Sequence, residues 1–416
     1  MTAAGDTTAA SAAGLRIPTR RLQRAVLWLL AFSGSLAIIE PSPYEAMFLV
    51  ALTGFMVTGG IRLPRLVMPL IVLLLVFNLG GVFSLIPYLD HHKSVTFVAI
   101  SIYLMVTAIF FATILSQDGE ERLNAIRSGF VASAWVAAIA GIAGYLNIAG
   151  LGSIFSLYGR ASGTFKDPNV LGPYLTLAVA FMVQDIMTGR GRLLISLIKL
   201  SVPTLALLLT LSRGAWINAI GSIGLLVLLI YLTSRSSWQR SRLVGQVAML
   251  SAAIVIVVLA ALSSGEIGEL VAQRAGLQSY DMGPTGRFGG QIRSLPILLD
   301  LPNGFGPLRF SAEMYGVAPH NVFLNAFASY GWIGGIAYLV LIVTTFFIGW
   351  RTVLRRGPLQ RHFLPVWSVF FITALQGIQI DSDHWRHFYL LLGLVWGIAA
   401  TTPRGPEEAE QRELAS

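Results

Sequence analysis

Five short stretches hold the residues of this chain whose types and spacing can do chemistry. Arg160-Ala-Ser-Gly163-Thr-Phe165-Lys166-Asp-Pro168-Asn169 comes first, followed by Leu211-Ser212-Arg213-Gly214 and Thr285-Gly286-Arg287. Next comes His320-Asn321, with Gly331 after nine residues and Gly334 after two more, and last Asp381-Ser-Asp383-His384-Trp385-Arg386-His387. A guanidinium stays charged at any physiological pH and offers a planar fork of donors that fits two phosphate oxygens at once. Several arginines converging would therefore make an anion site, whereas local ion pairing or headgroup contact is enough to explain any one alone. Histidine titrates near neutrality and can take a proton from a hydroxyl. Standing alone, His320 reads equally as the residue before a helix, with Asn321 as the cap. The 381–387 turn, where Asp381, Asp383, His384 and Arg386 sit together, would serve as an acceptor contact, a second acid/base group or a solvated turn with aromatic anchors. One short turn seldom supplies a full ligand set with its supporting hydrogen bonds, so no metal is expected there.

The elements that must position these residues are set by composition. Of 416 residues, 55% are hydrophobic and 12% charged, a charged share about half that of soluble domains. Apolar runs near the ~20 residues needed to cross hydrocarbon recur along the chain. They lack the alternation of barrel strands, and a backbone in lipid must satisfy its own amides, so they should be helices. The spacing predicts spans at 25–39, 44–60, 66–87, 94–115, 128–149, 169–187, 193–211, 214–233, 244–262, 321–349, 362–380 and 387–401. The stretch 193–233 would make one helix ~60 Å long at 1.5 Å per residue, twice what a bilayer needs. It must be a hairpin, and Arg213, the only charge between Lys199 and Arg235, marks its turn.

Twelve crossings put both termini on one side. That side would carry nineteen of the 29 Lys and Arg and the other nine, with Lys199 inside a span. The positive-inside bias makes both ends cytoplasmic. The expected organisation is a cytoplasmic tail at 1–24, one all-α transmembrane domain at 25–402 and a cytoplasmic tail at 403–416. Outer loops would lie at 150–167, 263–320 and 381–387, the longest between the ninth and tenth helices. Although the net charge is +9, its distribution follows the membrane rather than a nucleic-acid surface, so no nucleic-acid partner is expected. Short cytoplasmic loops leave no room for a nucleotide-binding domain, and no GxxxxGK[ST] sequence occurs. Zero cysteines exclude disulfides and thiolate metal sites. Arginines on the outer side run against the bias, and Arg213, at a tight turn at headgroup depth, is where a lipid diphosphate would lie; snorkelling to ordinary phospholipid is the other explanation.

Taken in order and on one face, these stretches resemble the O-antigen ligase and Wzy-type polysaccharide polymerase family of bacterial membrane glycosyltransferases, over about residues 158–338. The resemblance implies a polytopic, GT-C-like helical protein of the bacterial cytoplasmic membrane with its active site facing the periplasm. Such enzymes move a glycan from undecaprenyl diphosphate to a hydroxyl of lipid A-core or of a growing polysaccharide, without cofactor or metal. By position, Arg213 and Arg287 match the arginines that hold the donor diphosphate and His320 the essential histidine; Arg160 and Asn321 match less closely, with Ser212, Asn169 and Lys166 as supporting residues. Fixed cations can stabilise a departing diphosphate, and one displacement at the anomeric carbon predicts inversion. Two alternatives stay open. A flippase for lipid-linked sugars would line its spans with polar groups, and a polyprenyl-monophosphate glycosyltransferase would depend on Glu40.

Overall fold

The computed structural model describes residues 19–190, 192–234, 236–248, 283, 286–314, 316, 318–355 and 357–402. Among the described residues, twelve principal helices occur: α1 (Thr19–Ser33), α2 (Pro43–Val57), α3 (Met68–Leu85), α4 (His92–Ile114), α5 (Gly119–Tyr145), α6 (Pro168–Met187), α7 (Leu193–Leu209), α8 (Arg213–Thr233), α9 (Arg287–Leu299), α10 (Val322–Val353), α11 (Gln360–Gln376) and α12 (Arg386–Thr401). Eleven of the expected spans fall on helices of this set; the span at 244–262 lies mostly outside the described residues. Among the described residues, six helical segments have the length and composition to cross a membrane: Arg65–Tyr88, His92–Ile114, Gly119–Tyr145, Pro168–Met187, Arg213–Thr233 and Val322–Val353. Pro43–Val57 and Leu193–Leu209 are apolar but shorter. The fold is thus that of a polytopic helical membrane protein.

The hairpin expected within 193–233 is present. α7 ends at Leu209, Leu211 takes a left-handed φ of 47°, and Ser212 caps α8 by accepting the backbone N–H of Ala215 at 3.3 Å. One boundary differs from expectation by about two turns, because α5 begins at Gly119 and carries Arg122 and Arg127 inside the helix. Its charge is housed by carbonyls: buried Arg122 donates to Gly60 O at 3.0 Å, to Ile114 O and to Gln23 Oε1 at 2.8 Å.

α6, α11 and α12 form the interior, with long buried runs such as Phe388–Ala399. Small residues let the helices approach. A Cβ added to Gly80 of α3 would come within 2.5 Å of Gly334 N in α10, and one on Gly393 of α12 within 2.5 Å of Ala108 O in α4. At one end of the bundle, Arg20 pairs with Asp118, Arg24 with Glu121 and Arg361 with Glu120. The motif-bearing turns gather at the other.

α9 and the short helix Phe310–Glu313 lie in the segment between α8 and α10 that sequence alone marks as loop. Leu298, Phe305, Phe310, Met314, Leu324 and Ala328 give it a small core of its own. Phe288, Ile292, Leu295 and Leu299 form an exposed apolar stripe at helical spacing on α9, the pattern of a helix lying in an interface.

Candidate active site

α10 explains the His-Asn and glycine-pair sequence from its geometry. Asn321 caps the helix by accepting Leu324 N–H at 3.1 Å. His320, just ahead of it, holds a left-handed φ of 44°, a conformation that costs an L-residue energy and must be held by its surroundings. Both of its backbone groups are held. Asp381 accepts His320 N–H at 3.0 Å on one carboxylate oxygen and Asn321 N–H at 2.9 Å on the other. Arg287, the first residue of α9, donates Nη2 to His320 O at 3.3 Å and to Gln379 O. The His320 backbone is thereby tied to α9 and to the 381–387 turn, and the residue is exposed.

Farther along α10 the helix breaks at Gly331, whose φ is 65°. The break frees backbone groups that the segment before α10 satisfies, with Gly306 N–H donating to Ala328 O at 3.0 Å, while Trp332 N–H donates to Pro302 O at 2.8 Å. Gly334 serves close packing, since a Cβ there would stand 3.1 Å from Phe77 O of α3, whereas Gly331 provides the left-handed break.

A second group forms around Asn169. Arg160, on a two-residue hairpin strand, donates Nη2 to Asn169 Oδ1 at 2.8 Å and Nε to Thr210 O at 2.8 Å. Ser212 Oγ donates to the same Asn169 oxygen at 2.8 Å. Asn169 opens α6, capped by Asp167. Arg160, Asn169 and Ser212 thus meet at the turn that launches Arg213. Lys166 sits apart, pairing at the surface with Glu40 at 2.9 Å.

The two groups are joined by residues that sequence inspection passed over. Asn218, on α8, donates to Gln376 Oε1 at 2.8 Å and to Thr373 Oγ1 at 3.0 Å, and the Gln376 amide lies where a Cβ on Gly214 would stand, 2.8 Å away. One residue on, Gly377 O accepts the Val322 N–H of α10 at 2.7 Å, and Gln379 O accepts Arg287.

Beyond His320 the 381–387 turn folds inward. Asp383 is buried, accepts Asn325 Nδ2 at 3.2 Å and lies 3.1 Å from His384 Nδ1. His384 packs against Phe97 at 3.9 Å between ring centres, the two rings tilted by 30°. Arg386 pairs with Glu45 and lies over Tyr44. Burial, then the charge of Asp383, push the Asp381 carboxyl up to about 7, against the pull of the two N–H groups and Arg287. For His384, burial pulls the pKa down but the charge and hydrogen bond of Asp383 outweigh it, leaving it raised.

Three helices open on arginine: α8 at Arg213, α9 at Arg287 and α12 at Arg386. A helix N-terminus already carries about half a positive charge; Arg213 and Arg287 add cation where the backbone dipole is positive, whereas Arg386 is paired with Glu45. The combination suits an anion.

The fold and this site define a multi-pass helical membrane protein with a cationic, histidine-bearing end. Residues 197–339, about a third of the chain, match the family model described as O-antigen ligase, in agreement with the resemblance carried by the motifs. The matched segment includes Ser212-Arg213, Arg287 and the His320 to Gly334 sequence. No curated protein matches the chain. The match points to glycan transfer of the ligase or polymerase type.

Proposed function

We propose that this protein transfers a glycan from undecaprenyl diphosphate to an acceptor sugar hydroxyl, on the periplasmic side of the bacterial cytoplasmic membrane, with inversion and without a metal or other cofactor. The observation that carries the reading is the double hold on His320, whose backbone Asp381 and Arg287 fix from opposite sides. The reaction needs a base and fixed positive charge within one substrate's reach, and a single turn supplies both. His320 takes the proton of the acceptor hydroxyl as its oxygen attacks the anomeric carbon. The bond from that carbon to the diphosphate oxygen breaks, and its electron pair leaves with undecaprenyl diphosphate. Arg287 and Arg213, with Arg160 behind, balance the charge that develops on the leaving group; they are preorganised by their helices, so little rearrangement is needed. Asn321, Asn169 and Ser212 hold the two turns.

The positive-inside count places the motif end outside, and the site's polar groups gather at that end rather than along a path through the spans. The test is the anomeric configuration of the new bond, read by NMR on product made by purified protein in bilayer discs with chelator present. Inverted linkages at undiminished yield are expected. Retained configuration, or loss of product on chelation with recovery on adding a divalent cation, would overturn the reading.

A further inference from the structure

A cavity of about 350 Å³ opens beside the site, lined by His92, Lys93, Thr96, Phe97, Ile100, Leu308 and His384. Phe97, Ile100 and Leu308 give it apolar and aromatic lining, and the exposed His92 and Lys93 of the first turn of α4 give it basic lining. The segment that brings Leu308 to it is held by a hydrogen bond. Ser94 Oγ donates to Pro307 O at 2.7 Å, tying the 304–309 loop to α4, and Leu308 adopts a left-handed φ of 61° beside it. The Gly304-Phe305-Gly306-Pro307 sequence therefore shapes this cavity as well as bracing the break in α10.

The location is informative. His384 lines the cavity, lies 3.1 Å from Asp383, and sits three residues after Asp381, which holds His320. On its other side His320 is linked through Gly377 and Gln376 to the turn bearing Arg213. The histidine thus stands between an arginine-bearing turn and this cavity. Charge gives the second clue. Lys166 pairs with Glu40 and Arg386 with Glu45, whereas Lys93, at the cavity, pairs with no carboxylate among the described residues.

We infer that this cavity seats a phosphate-bearing headgroup of the lipid-anchored acceptor, with Lys93 and His92 on the anion and Phe97, Ile100 and Leu308 against the apolar part next to it. The inference rests on the proposed transfer reaction and adds to it the side from which the acceptor arrives. An ammonium and an imidazole on an apolar wall fit an anionic amphiphile better than a neutral sugar.

The experiment is steady-state transfer by the double variant His92→Gln, Lys93→Gln in discs of phosphatidylcholine, varying donor and a phosphorylated glycolipid acceptor separately. The acceptor KM should rise roughly tenfold, the scale of one lost charge-assisted contact, while kcat and the donor KM stay within about twofold. Lys93→Arg should keep most of the acceptor affinity. An unchanged acceptor KM, or a donor KM rising in step, would overturn the inference. So would an acceptor effect seen only when phosphatidylglycerol is added, which would make the occupant bulk anionic lipid. His320→Ala run alongside separates the two claims: if that variant still transfers glycan, the reaction itself is misassigned, whereas a dead His320→Ala with an indifferent double variant sinks the cavity's role alone.

Discussion

Asp381 grips the backbone on either side of His320, one carboxylate oxygen on the N–H of His320 and the other on that of Asn321, at 3.0 and 2.9 Å. The two partners are 61 residues apart in the chain, so the left-handed turn at His320 is imposed by tertiary structure and not by local sequence.

Removing that grip should loosen the turn. Asp381→Ala leaves two N–H groups without their acceptor, which costs ~1–3 kcal/mol, visible as a lower Tm in detergent. Misplacing the histidine by about an ångström should lower kcat roughly a hundredfold, with the donor KM little changed. A variant with wild-type kcat would show that the hold is dispensable.

The same carboxyl predicts a pH dependence of known sign. Its pKa is pushed up to about 7 in the fold from ~4 in an unfolded chain. The stability it contributes is therefore fully present below about pH 4 and is lost as pH rises through about 7. Thermal stability measured between pH 4.5 and 8 should fall with a slope that Asp381→Asn flattens. Transfer activity should run the other way, rising as the carboxylate that holds His320 forms.

At the second turn, Asn169 Oδ1 accepts both Arg160 and Ser212. Asn169→Asp keeps both hydrogen bonds but adds a negative charge where the donor diphosphate is placed. The donor KM should rise about tenfold, equivalent to ~1.4 kcal/mol, with the acceptor KM unchanged in the same kinetic assay.

Gly331→Ala should be worse than its chemistry suggests. The left-handed conformation alone costs an alanine ~1–2 kcal/mol, and its Cβ would stand 2.6 Å from Pro302 O. Loss of folded protein in membranes and a lower Tm are expected, whereas a change at the exposed Ile336 on the same helix should be mild.

Hydropathy and charge made most of the helices legible, because in lipid the backbone has few choices. The Ser212-Arg213 turn was legible for the same reason, since one long apolar run had to fold back and held one charge. The start of α5 was not: Arg122 looks like a loop residue until Gly60 O, Ile114 O and Gln23 are seen to receive it. The motifs named His320, Arg287 and Arg213, but what fixes them comes from afar. Asp381 stood out in the sequence as an acceptor contact within a charged turn, yet its oxygens meet the backbone of α10's cap. Gln376 and Asn218 carried no signal because an amide near the end of an apolar helix looks like any interfacial residue, and their meeting across 158 residues of chain exists only in the fold.

The central claim, that His320 is the base of a glycan transfer, is tested most directly by His320→Ala, assayed for product on undecaprenyl-diphosphate-linked glycan and acceptor at matched amounts of membrane-inserted protein. The account predicts loss of product to background with protein level and Tm preserved. Transfer within about twofold of wild type would contradict it, since a lost general base costs at least roughly a hundredfold.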